Sequence, residues 1–552
     1  MSLVDLSIIP MDSIQRIEIT KGNNSVLYGN NSSAGTVNII TDTLPDQKDS
    51  LFSKFTAGSF GKFEGALSGT KTAGIYSITG NTNFISTDGF RRNNALSQKN
   101  GSIEFKGITD FFSYHINVLS HNQFLELPGN RLTTAYWEDP RGNDTFSATH
   151  FNQRNGWKAF YGLSYSATND HELIIDGSFS FDKSQGNLGT FSDTEIYSYQ
   201  ISPRYLLKLN FDQIEFDNIF GVDLIHAYYY SDRMTADGKH YYKKYKMTDQ
   251  TAAFYFNTNF KVNPDNKFSI GARYHGNWLR TSDSVTPGAY YPEWAMPTDT
   301  DRPTENFSNP QFAYHLGYEY KINNFNSVSS KIGRSFRYPN LDERIGLSGT
   351  SFKLGPQKSH DFEISHKLNF KNLNASTTFY YIRLRAEIST TDNAFANRNL
   401  APTKRYGIEN SFKYDFTNRI SIENSFTITQ AEFRGGDRNG NDLPGVPAYV
   451  DSFQINYSPL DNLSTYFNFY YQSNSKMIND FRNFQIAAKG YHTLNIGFVG
   501  NYKGFKTSLA LNNLQNKIYY NYAVGAGNGT YGRAAYYPLP GFNTLFKISK
   551  EF

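Results

Sequence analysis

Side chains that could bind a ligand concentrate in a few aromatic, basic stretches that interrupt the alternating segments of this sequence. The longest two, residues 125–155 and 283–309, combine tyrosine and tryptophan rings with arginine. Aromatic faces beside cationic groups suit a flat or anionic metal chelate, because rings stack and guanidinium groups donate charge-assisted hydrogen bonds. We interpret the following residues as ligand-binding candidates: Arg131, Tyr136, Trp137, Tyr290, Tyr291, Trp294, Arg533 and Tyr536. The alternative is an aromatic girdle at a membrane interface beside ordinary solvated loops.

No pattern of residues indicates catalysis, a metal centre or a cofactor. The 11 histidines are scattered without an H-E-x-x-H motif, and the chain has no cysteine. Gly22, Gly29 and Gly35 match neither a P-loop nor G-x-G-x-x-G, so we interpret them as turn glycines. We expect no catalytic residue, no bound metal and no cofactor. A membrane hydrolase is a third class that the absence of G-x-S-x-G does not eliminate.

The composition indicates strands with one apolar and one polar face. Tyrosine (40) and phenylalanine (46) are very frequent, whereas hydrophobic residues make up only 38% of the chain and the mean hydropathy is −0.56. A membrane β-barrel has this mixture, because its strands face lipid on one side and water on the other. No stretch approaches 18 consecutive apolar residues, so helical membrane spans are not expected. The net charge of +4, without a basic stripe, argues against nucleic-acid binding.

Strand-like segments with a period of two run from residue 50 to the C-terminus, and we predict 22 of them. In the last one, Phe546 and Ile548 share one face, whereas Lys547 and Ser549 share the other. Tight turns and mostly long loops alternate strictly along the chain. In an antiparallel up-and-down sheet this places the turns at one rim and the long loops at the other, as in outer-membrane barrels. The alternative, several soluble β-sandwiches, requires linkers that the sequence lacks.

A barrel of 22 strands is too wide for its own side chains to fill, so its lumen needs a plug. The candidate is the segment before residue 45, which contains two β-type runs, 14–20 and 36–41, joined by residues rich in Gly, Asn and Ser. Arg16 and Glu18 lie two residues apart on the first run and therefore project from one face. We expect a plug segment at 1–44 and a transmembrane barrel at 45–552.

Several motifs resemble, in the right order, those of TonB-dependent outer-membrane receptors. In the plug-like segment they are RIEI, SVLYG (25–29), an Ala-Gly pair (34–35) and VNIIT (37–41). In the barrel they are KIGRSFRYPNLDE (331–343), LGPQKSHDFEIS (354–365), LPGVP (443–447), LNNLQNKIYY (511–520) and YYPLPG (536–541). The resemblance extends from about residue 8 to residue 552. Asn23, Ala34 and Gln357 stand where the family usually has Pro, Gly and Glu.

The resemblance implies an all-β, 22-stranded antiparallel barrel with a plug inside, in the outer membrane of a Gram-negative bacterium. It implies a monomeric receptor that imports a scarce nutrient complex, a ferric siderophore or cobalamin, when TonB pulls the plug. Family plugs are longer and begin with a box that contacts TonB, so we expect residues 1–44 to be the C-terminal remnant of a plug. The alternative function is a passive, TonB-independent channel.

The resemblance also implies roles for individual residues. Arg16 and Glu18 would lock the plug to the barrel wall, where inward parity makes Glu363, Glu409 and Glu423 the candidate partners. A strand edge facing water is the alternative for the Arg16 pair. The final residue, Phe552, resembles the terminal aromatic that barrel-assembly machinery recognises. The expected partners are outer-membrane lipid, a metal-chelate small molecule, the TonB complex for the full-length protein, and the assembly machinery.

Overall fold

The structure, a computed structural model, describes residues 14–41, 49–143, 148–212, 214–235, 238–285, 302–345, 353–390, 397–525 and 534–552. The first range forms a small unit of its own. Strand β1 (Ile14–Lys21) pairs antiparallel with β2 (Gly35–Thr41), and a single helical turn, α1 (Ser25–Tyr28), lies between them. Both β-type runs predicted in the plug-like segment are therefore strands.

The other described ranges contain the wall strands and a few short elements on the loops. In chain order they are β3 (Ser50–Gly58), β4 (Lys62–Ala73), β5 (Tyr76–Thr87), β6 (Leu96–Ile108), β7 (Phe112–Glu126), β8 (Arg131–Leu132), α2 (Thr133–Glu138), β9 (Phe151–Thr168), β10 (His171–Asn187), β11 (Phe191–Phe211), β12 (Ile214–Met234), β13 (Tyr241–Asn263), β14 (Asn266–Val285), β15 (Arg302–Ser308), β16 (Gln311–Lys321), β17 (Asn326–Arg337), β18 (Gln357–Phe370), β19 (Leu373–Arg385), β20 (Ile388–Thr390), β21 (Asn397–Asn399), β22 (Thr403–Thr417), β23 (Ile420–Phe433), β24 (Tyr449–Leu460), β25 (Leu463–Gln472), β26 (Tyr491–Tyr502), β27 (Phe505–Asn512), β28 (Tyr519–Val524), β29 (Ala535–Leu539) and β30 (Asn543–Glu551). Two short 3-10 helices span Asp342–Arg344 and Gly436–Arg438.

The wall strands form one closed antiparallel barrel, which confirms the predicted fold class. β15 and β16 both pair with β14, and they occupy one wall position that is interrupted at residues 309–310. Pro310 lies at this interruption and has no N–H to donate to the ladder. Counted this way, the described strands give the 22 wall positions that the sequence predicts. In the same residues, no helix combines the length and the apolar composition that crossing a bilayer requires.

The barrel closes where its first strand meets its last. β3 pairs with β30 from Phe52 opposite Glu551 to Gly58 opposite Leu545. Alternate connections between consecutive wall strands are tight turns of two to four residues, beginning with the one between β4 and β5. These turns share one rim, which we call the turn rim. The other connections share the opposite rim, the loop rim, and they are longer except at 59–61 and 188–190, where each contains three residues. The predicted alternation of turns and loops is confirmed.

Side-chain exposure confirms which face of the wall is apolar. Large apolar residues on the outer face are widely exposed, for example Ile103 at 61% and Phe379 at 55%. Charged residues on the inner face instead form ion pairs, as in the buried 2.7 Å contact between Nζ of Lys54 and Oε1 of Glu64. A sandwich would bury the aromatic faces against each other. The exposed rings and the closed ladder exclude that alternative.

Several strands are longer than the roughly ten residues that a bilayer requires. β9 to β14 contain 17 to 23 residues each, and a strand of 21 residues is about 70 Å long at ~3.3 Å per residue. They extend past the membrane because neighbouring strands keep pairing beyond it. Part of the predicted 283–309 loop is accordingly strand, in β14 and β15.

In the described wall, four glycines lie directly opposite a tyrosine whose ring is the nearest group that a Cβ there would meet. The pairs are Gly107 with Tyr114, Gly177 with Tyr161, Gly221 with Tyr255, and Gly497 with Tyr466. A Cβ on any of these glycines would lie 2.2–2.4 Å from a ring carbon. The ring shields a strand position that has no side chain of its own.

We predict that Gly177→Ala destabilises the folded barrel, because the new methyl group would overlap the Tyr161 ring. Overpacking of this kind costs roughly 1–3 kcal/mol. The measurement is urea-induced unfolding in lipid vesicles. Gly80→Ala is the matched control, since Gly80 also lies in a wall strand but a Cβ there meets nothing within 4 Å. Equal stability losses in the two variants would contradict the prediction.

Candidate functional site

The residues SVLYG fold into the turn α1 for local reasons. The side-chain oxygen of Asn23 accepts a hydrogen bond from the Ser25 amide at 3.0 Å, as in an Asx turn. The Gly29 amide donates to the Ser25 carbonyl at 3.0 Å, and the left-handed backbone of Gly29 (φ +67°) then ends the helix. A helix of one turn has little stability of its own, so its position depends on its contacts with the barrel.

Val26 anchors the turn in the barrel wall. Its side chain is 1% exposed and packs with Ala313 of β16, Phe336 of β17 and Tyr338. Full burial of a valine side chain contributes roughly 1.5–3 kcal/mol. On the neighbouring strand, a Cβ at Gly271 would lie 2.9 Å from Cγ1 of Val26. The wall therefore has a recess at this point, and the plug segment fills it.

Arg273 lies beneath the turn and is almost fully buried. Its Nη2 lies 2.6 Å from Oδ2 of Asp223, and its guanidinium lies over the ring of Tyr255, 5.2 Å from the centroid. A Cβ at Gly29 would lie 2.8 Å from Nη2 of Arg273, so only glycine lets the plug backbone rest on this guanidinium. Arg273 was not among the predicted residues. The sequence shows only that it is a charged residue in an alternating strand, and many charged residues that face the lumen do not contact the plug.

Two glycines let the plug and the wall approach closely beside Arg273. A Cβ at Gly22 would lie 2.4 Å from Oε1 of Glu363, and a Cβ at Gly333 would lie 2.8 Å from Nδ2 of Asn23. Between these points, Nζ of Lys331 donates a hydrogen bond to the Asn23 carbonyl at 2.6 Å. Glu363, one of the predicted wall carboxylates, therefore lies against the plug backbone.

The motif KIGRSFRYPNLDE connects the plug, the wall and the loop that follows β17. The Tyr338 amide donates to the side-chain oxygen of Asn30 at 2.8 Å, and the Tyr338 hydroxyl donates to the Asn309 carbonyl at 2.5 Å. Arg337 donates two hydrogen bonds to the Glu343 carboxylate, at 2.9 and 3.0 Å. A bidentate pair of this kind fixes orientation as well as distance. The motif therefore fixes its own residues 337–343 beside the docked turn.

The predicted lock residues Arg16 and Glu18 lie side by side on β1. Nε of Arg16 lies 2.7 Å from Oε1 of Glu18, and their side chains are 56% and 48% exposed. The hydrogen bond from Arg16 lowers the pKa of Glu18 below its usual value. Arg16 and Glu18 therefore project from the same face of the strand, as their separation of two residues predicted. The locking role of this pair stays a prediction.

The other predicted wall carboxylates pair with lysines. Nζ of Lys21, at the end of β1, lies 2.7 Å from Oε2 of Glu409. Glu423 pairs with Lys413 on the neighbouring strand, at 3.1 Å. Lys21 is therefore the plug cation that the structure places on a predicted wall carboxylate, and it was not itself predicted.

Tyr136 lies at the centre of a cluster in which three loops meet. It is 0% exposed, and its ring lies 5.4 Å from that of Tyr520 and 5.0 Å from that of Tyr536. Burial among these rings raises the pKa of Tyr136. Met477 of the β25–β26 loop belongs to the same cluster, and β8 and β28 both pair with β29. Tyr136 and Tyr536, predicted to contact a ligand, hold the loops together in this structure.

Arg131 and Trp137 border this cluster. Arg131 bonds to the backbone of its own loop, whereas the ring of Trp137 is exposed. Arg131 donates hydrogen bonds to the Asn143 and Ala135 carbonyls, at 2.9 and 3.0 Å, and so supports the backbone of its own loop. Trp137 is 51% exposed, and Nζ of Lys489 lies 5.8 Å from its ring centroid. Trp137 therefore combines an open aromatic face with a nearby cation, which is the pairing that the sequence suggested for ligand binding.

Of the remaining predicted residues, only Phe552 lies within the described ranges. Tyr290, Tyr291, Trp294 and Arg533 lie outside the described residues. Phe552 is 64% exposed at the turn rim, and its amide donates to the Leu51 carbonyl at 2.8 Å. Its recognition by assembly machinery stays a prediction. Within the described ranges, no three His, Asp or Glu side chains come together in a way that could hold a metal ion.

A wide closed barrel with a separate segment docked on its inner wall defines a class of plugged outer-membrane receptors. Residues 41–514 match the family model described as TonB dependent receptor-like, beta-barrel, and residues 2–36 match the TonB-dependent receptor plug domain. The chain belongs to the TonB-dependent receptor family. Its barrel is accordingly an outer-membrane barrel, as predicted.

Curated relatives and solved structures agree with this family. The chain is 22% identical over 346 residues to the vitamin B12 transporter BtuB of Vibrio vulnificus, and 23% identical over 412 residues to that of Vibrio cholerae. These matches cover 61% and 71% of this chain but only 49% and 58% of the relatives, so the chain spans about half of their length. The siderophore receptor PiuA of Acinetobacter baumannii has the same fold, with a TM-score of 0.81 and 14% identity over 98% of this chain and 87% of that one.

We predict that Gly22→Ala loosens the docked plug segment, because the added methyl group would collide with the Glu363 carboxylate. The measurement is hydrogen exchange of the amides in residues 24–29, with an expected acceleration of about tenfold from overpacking. Gly74→Ala is the control. Gly74 has a similar positive φ of +60°, but a Cβ there meets nothing within 4 Å. Unchanged protection of the plug amides in Gly22→Ala would contradict the docking contact.

We also predict that Lys331→Gln loosens the same amides more than Lys21→Gln does. Lys331 makes a charged hydrogen bond to the Asn23 carbonyl, and such bonds contribute roughly 1.5–3 kcal/mol. The Lys21 side chain is 73% exposed, and exposed ion pairs contribute only about 0–1 kcal/mol. Hydrogen exchange of residues 24–29 in both variants checks this order, and a larger effect of Lys21→Gln would reverse it.

Proposed function

We propose that this protein is a gated importer that binds a scarce nutrient complex at its loop rim and admits it when TonB displaces the plug. The observation that carries the proposal is the docking of residues 22–30 in a recess of the wall, directly below the loops. Val26, Gly29 and Lys331 make the main contacts of this docked segment. We further propose residues 1–44 as the plug portion and 45–552 as the barrel.

The contacts between plug and wall suit a segment that must be both held and released. They include one small apolar anchor, the charged hydrogen bond from Lys331, the hydrogen bond between the Tyr338 amide and the Asn30 side chain, and one exposed ion pair. Each contributes about 0–3 kcal/mol, so a mechanical pull can break them one after another. The Arg16–Glu18 pair is half exposed near the other end of β1. We propose that Arg16 pairs with wall carboxylates as the segment moves.

The substrate class that we propose is a ferric siderophore or cobalamin. The named activities of the relatives, vitamin B12 transport in two Vibrio proteins and siderophore reception in PiuA, support both candidates. Within the described loops, Trp137 with Lys489 offers the stacking face and the cation that such a ligand needs. The TonB complex and the assembly machinery that reads Phe552 are the proposed protein partners, and the proposed state is a monomer.

We expect the purified full chain to bind cobalamin or one ferric chelate from a panel, and Trp137→Ala to weaken that binding. Loss of one stacked ring costs about 0.5–1.5 kcal/mol, which corresponds to a weakening of roughly two- to tenfold. Isothermal titration calorimetry measures the affinity. Trp278→Ala is the matched control, because Trp278 is 46% exposed on the lipid-facing side of the wall.

Conductance in planar bilayers tests the gating part of the proposal. A docked plug segment predicts small or intermittent currents, whereas a passive pore gives large and steady ones. Steady open currents, or the absence of binding to every ligand in the panel, would overturn the proposed function.

A further inference from the structure

A row of four basic side chains, three of them arginine or lysine, crosses the outer face of the barrel near the loop rim. Arg334 lies opposite His360, His360 opposite Arg383, and Arg383 opposite Lys404, on the adjacent strands β17, β18, β19 and β22. One step nearer the loops, Lys358 lies opposite Arg385. We call these six residues the outer cationic face.

Strand parity shows that these side chains point away from the lumen. The residues beside them in each strand are buried on the inner side, including Ser335 (0%), Ser359 (3%), Leu384 (8%) and Thr403 (1%). Because successive side chains alternate between the faces of a sheet, their neighbours in sequence point outward. His360, Arg383 and Arg385 are indeed exposed.

The row lies where the apolar band of the barrel ends. Two residues nearer the membrane centre, the outward positions are Ile332, Phe362, Tyr381 and Tyr406, which also lie opposite one another. The Tyr381 and Tyr406 rings are 6.4 Å apart and nearly parallel. Rings of this kind mark the interface between hydrocarbon and headgroups. The outer cationic face is therefore at the depth of the outer-leaflet headgroups.

The protein supplies little negative charge to this face. In the described part of the chain, Glu432 is the carboxylate that pairs with it, through Lys404. Arg383 donates instead to the Tyr381 hydroxyl at 2.9 Å, and Nε of Arg334 is buried without a hydrogen-bond partner. Like charges directly opposite each other destabilise a sheet. A counter-anion from outside the protein would remove this repulsion.

Another part of the outer wall is arranged differently. On β10 and β11, Nζ of Lys183 lies 2.9 Å from Oε1 of Glu195 and 3.3 Å from Oδ2 of Asp193. There the protein neutralises its own outward cation. The excess of positive charge is therefore a property of the β17–β22 side and not of the whole loop rim.

We propose that the outer cationic face binds the phosphorylated headgroup of a lipid in the outer leaflet. Arginine matches phosphate through paired hydrogen bonds, and basic clusters at a membrane surface attract anionic headgroups. Four neighbouring strands about 4.8 Å apart make the row roughly 15 Å wide, which accommodates a headgroup with more than one phosphate. The inference concerns the outside of the wall, so it does not depend on what the lumen transports.

The test compares the wild-type chain with the triple variant Arg334→Gln/Arg383→Gln/Arg385→Gln. The probe is lipid A, a glucosamine disaccharide lipid with two phosphates, titrated into detergent-solubilised protein and followed by native mass spectrometry. We expect the triple variant to bind lipid A at least about tenfold more weakly. Lipid A without phosphates should bind both proteins equally weakly, and Lys183→Gln should leave the affinity for lipid A unchanged.

A second measurement covers the case in which the triple variant folds poorly. Thermal unfolding of the wild-type chain should shift upward when lipid A is added, and the shift should shrink as the salt concentration rises. In lipid-free detergent, the single variant Arg383→Gln should be as stable as the wild type or more so, because it relieves repulsion. Free inorganic phosphate that competes fully with lipid A would assign the face to soluble anions instead. Equal lipid A binding by the wild type and the triple variant would overturn the proposal.

Discussion

The fold depends on one constraint, that every peptide group inside a bilayer must find its hydrogen-bond partner within the protein. A sheet meets this constraint only when it has no edge, which is why the pairing of β3 with β30 matters as much as any side-chain contact. The interruption at Pro310 is tolerated because β15 and β16 continue the same wall position on either side of it. Once the sheet is closed, the two faces of each strand have different solvents. The apolar outer face and the charged inner face follow from that difference.

Closing a sheet of this width leaves a lumen that side chains cannot fill. The plug segment lies in that lumen and is docked on the inner wall. The docking depends on small residues as much as on attractive contacts. Gly22 and Gly29 bring the plug backbone against Glu363 and Arg273, and Gly333 leaves space for Asn23. Close approach of two backbones gives a defined position with few strong bonds. Such an attachment suits the gated import proposed above.

Much of the architecture could be predicted because it repeats along the chain. The period of two and the alternation of tight turns with longer loops both report local geometry, and both are confirmed. The lengths of β9 to β14 could not be predicted, because strands beyond the bilayer are held by neighbouring strands and not by hydrophobicity. The roles of single residues could not be predicted from the sequence either. Tyr136 has the composition of a ligand contact, yet it is buried where three loops pack together.

The sequence by itself determined the class of the fold and its membership of the receptor family, since alternation, turn residues and ordered motifs are properties of neighbours along the chain. Only the tertiary structure decided which charges meet. Lys21 lies beside Glu409, Arg273 lies beneath Gly29, and Arg334 shares a row with Lys404. These partners are separated by tens to hundreds of residues. Their meeting is set by the register and closure of the whole barrel, which no single segment encodes.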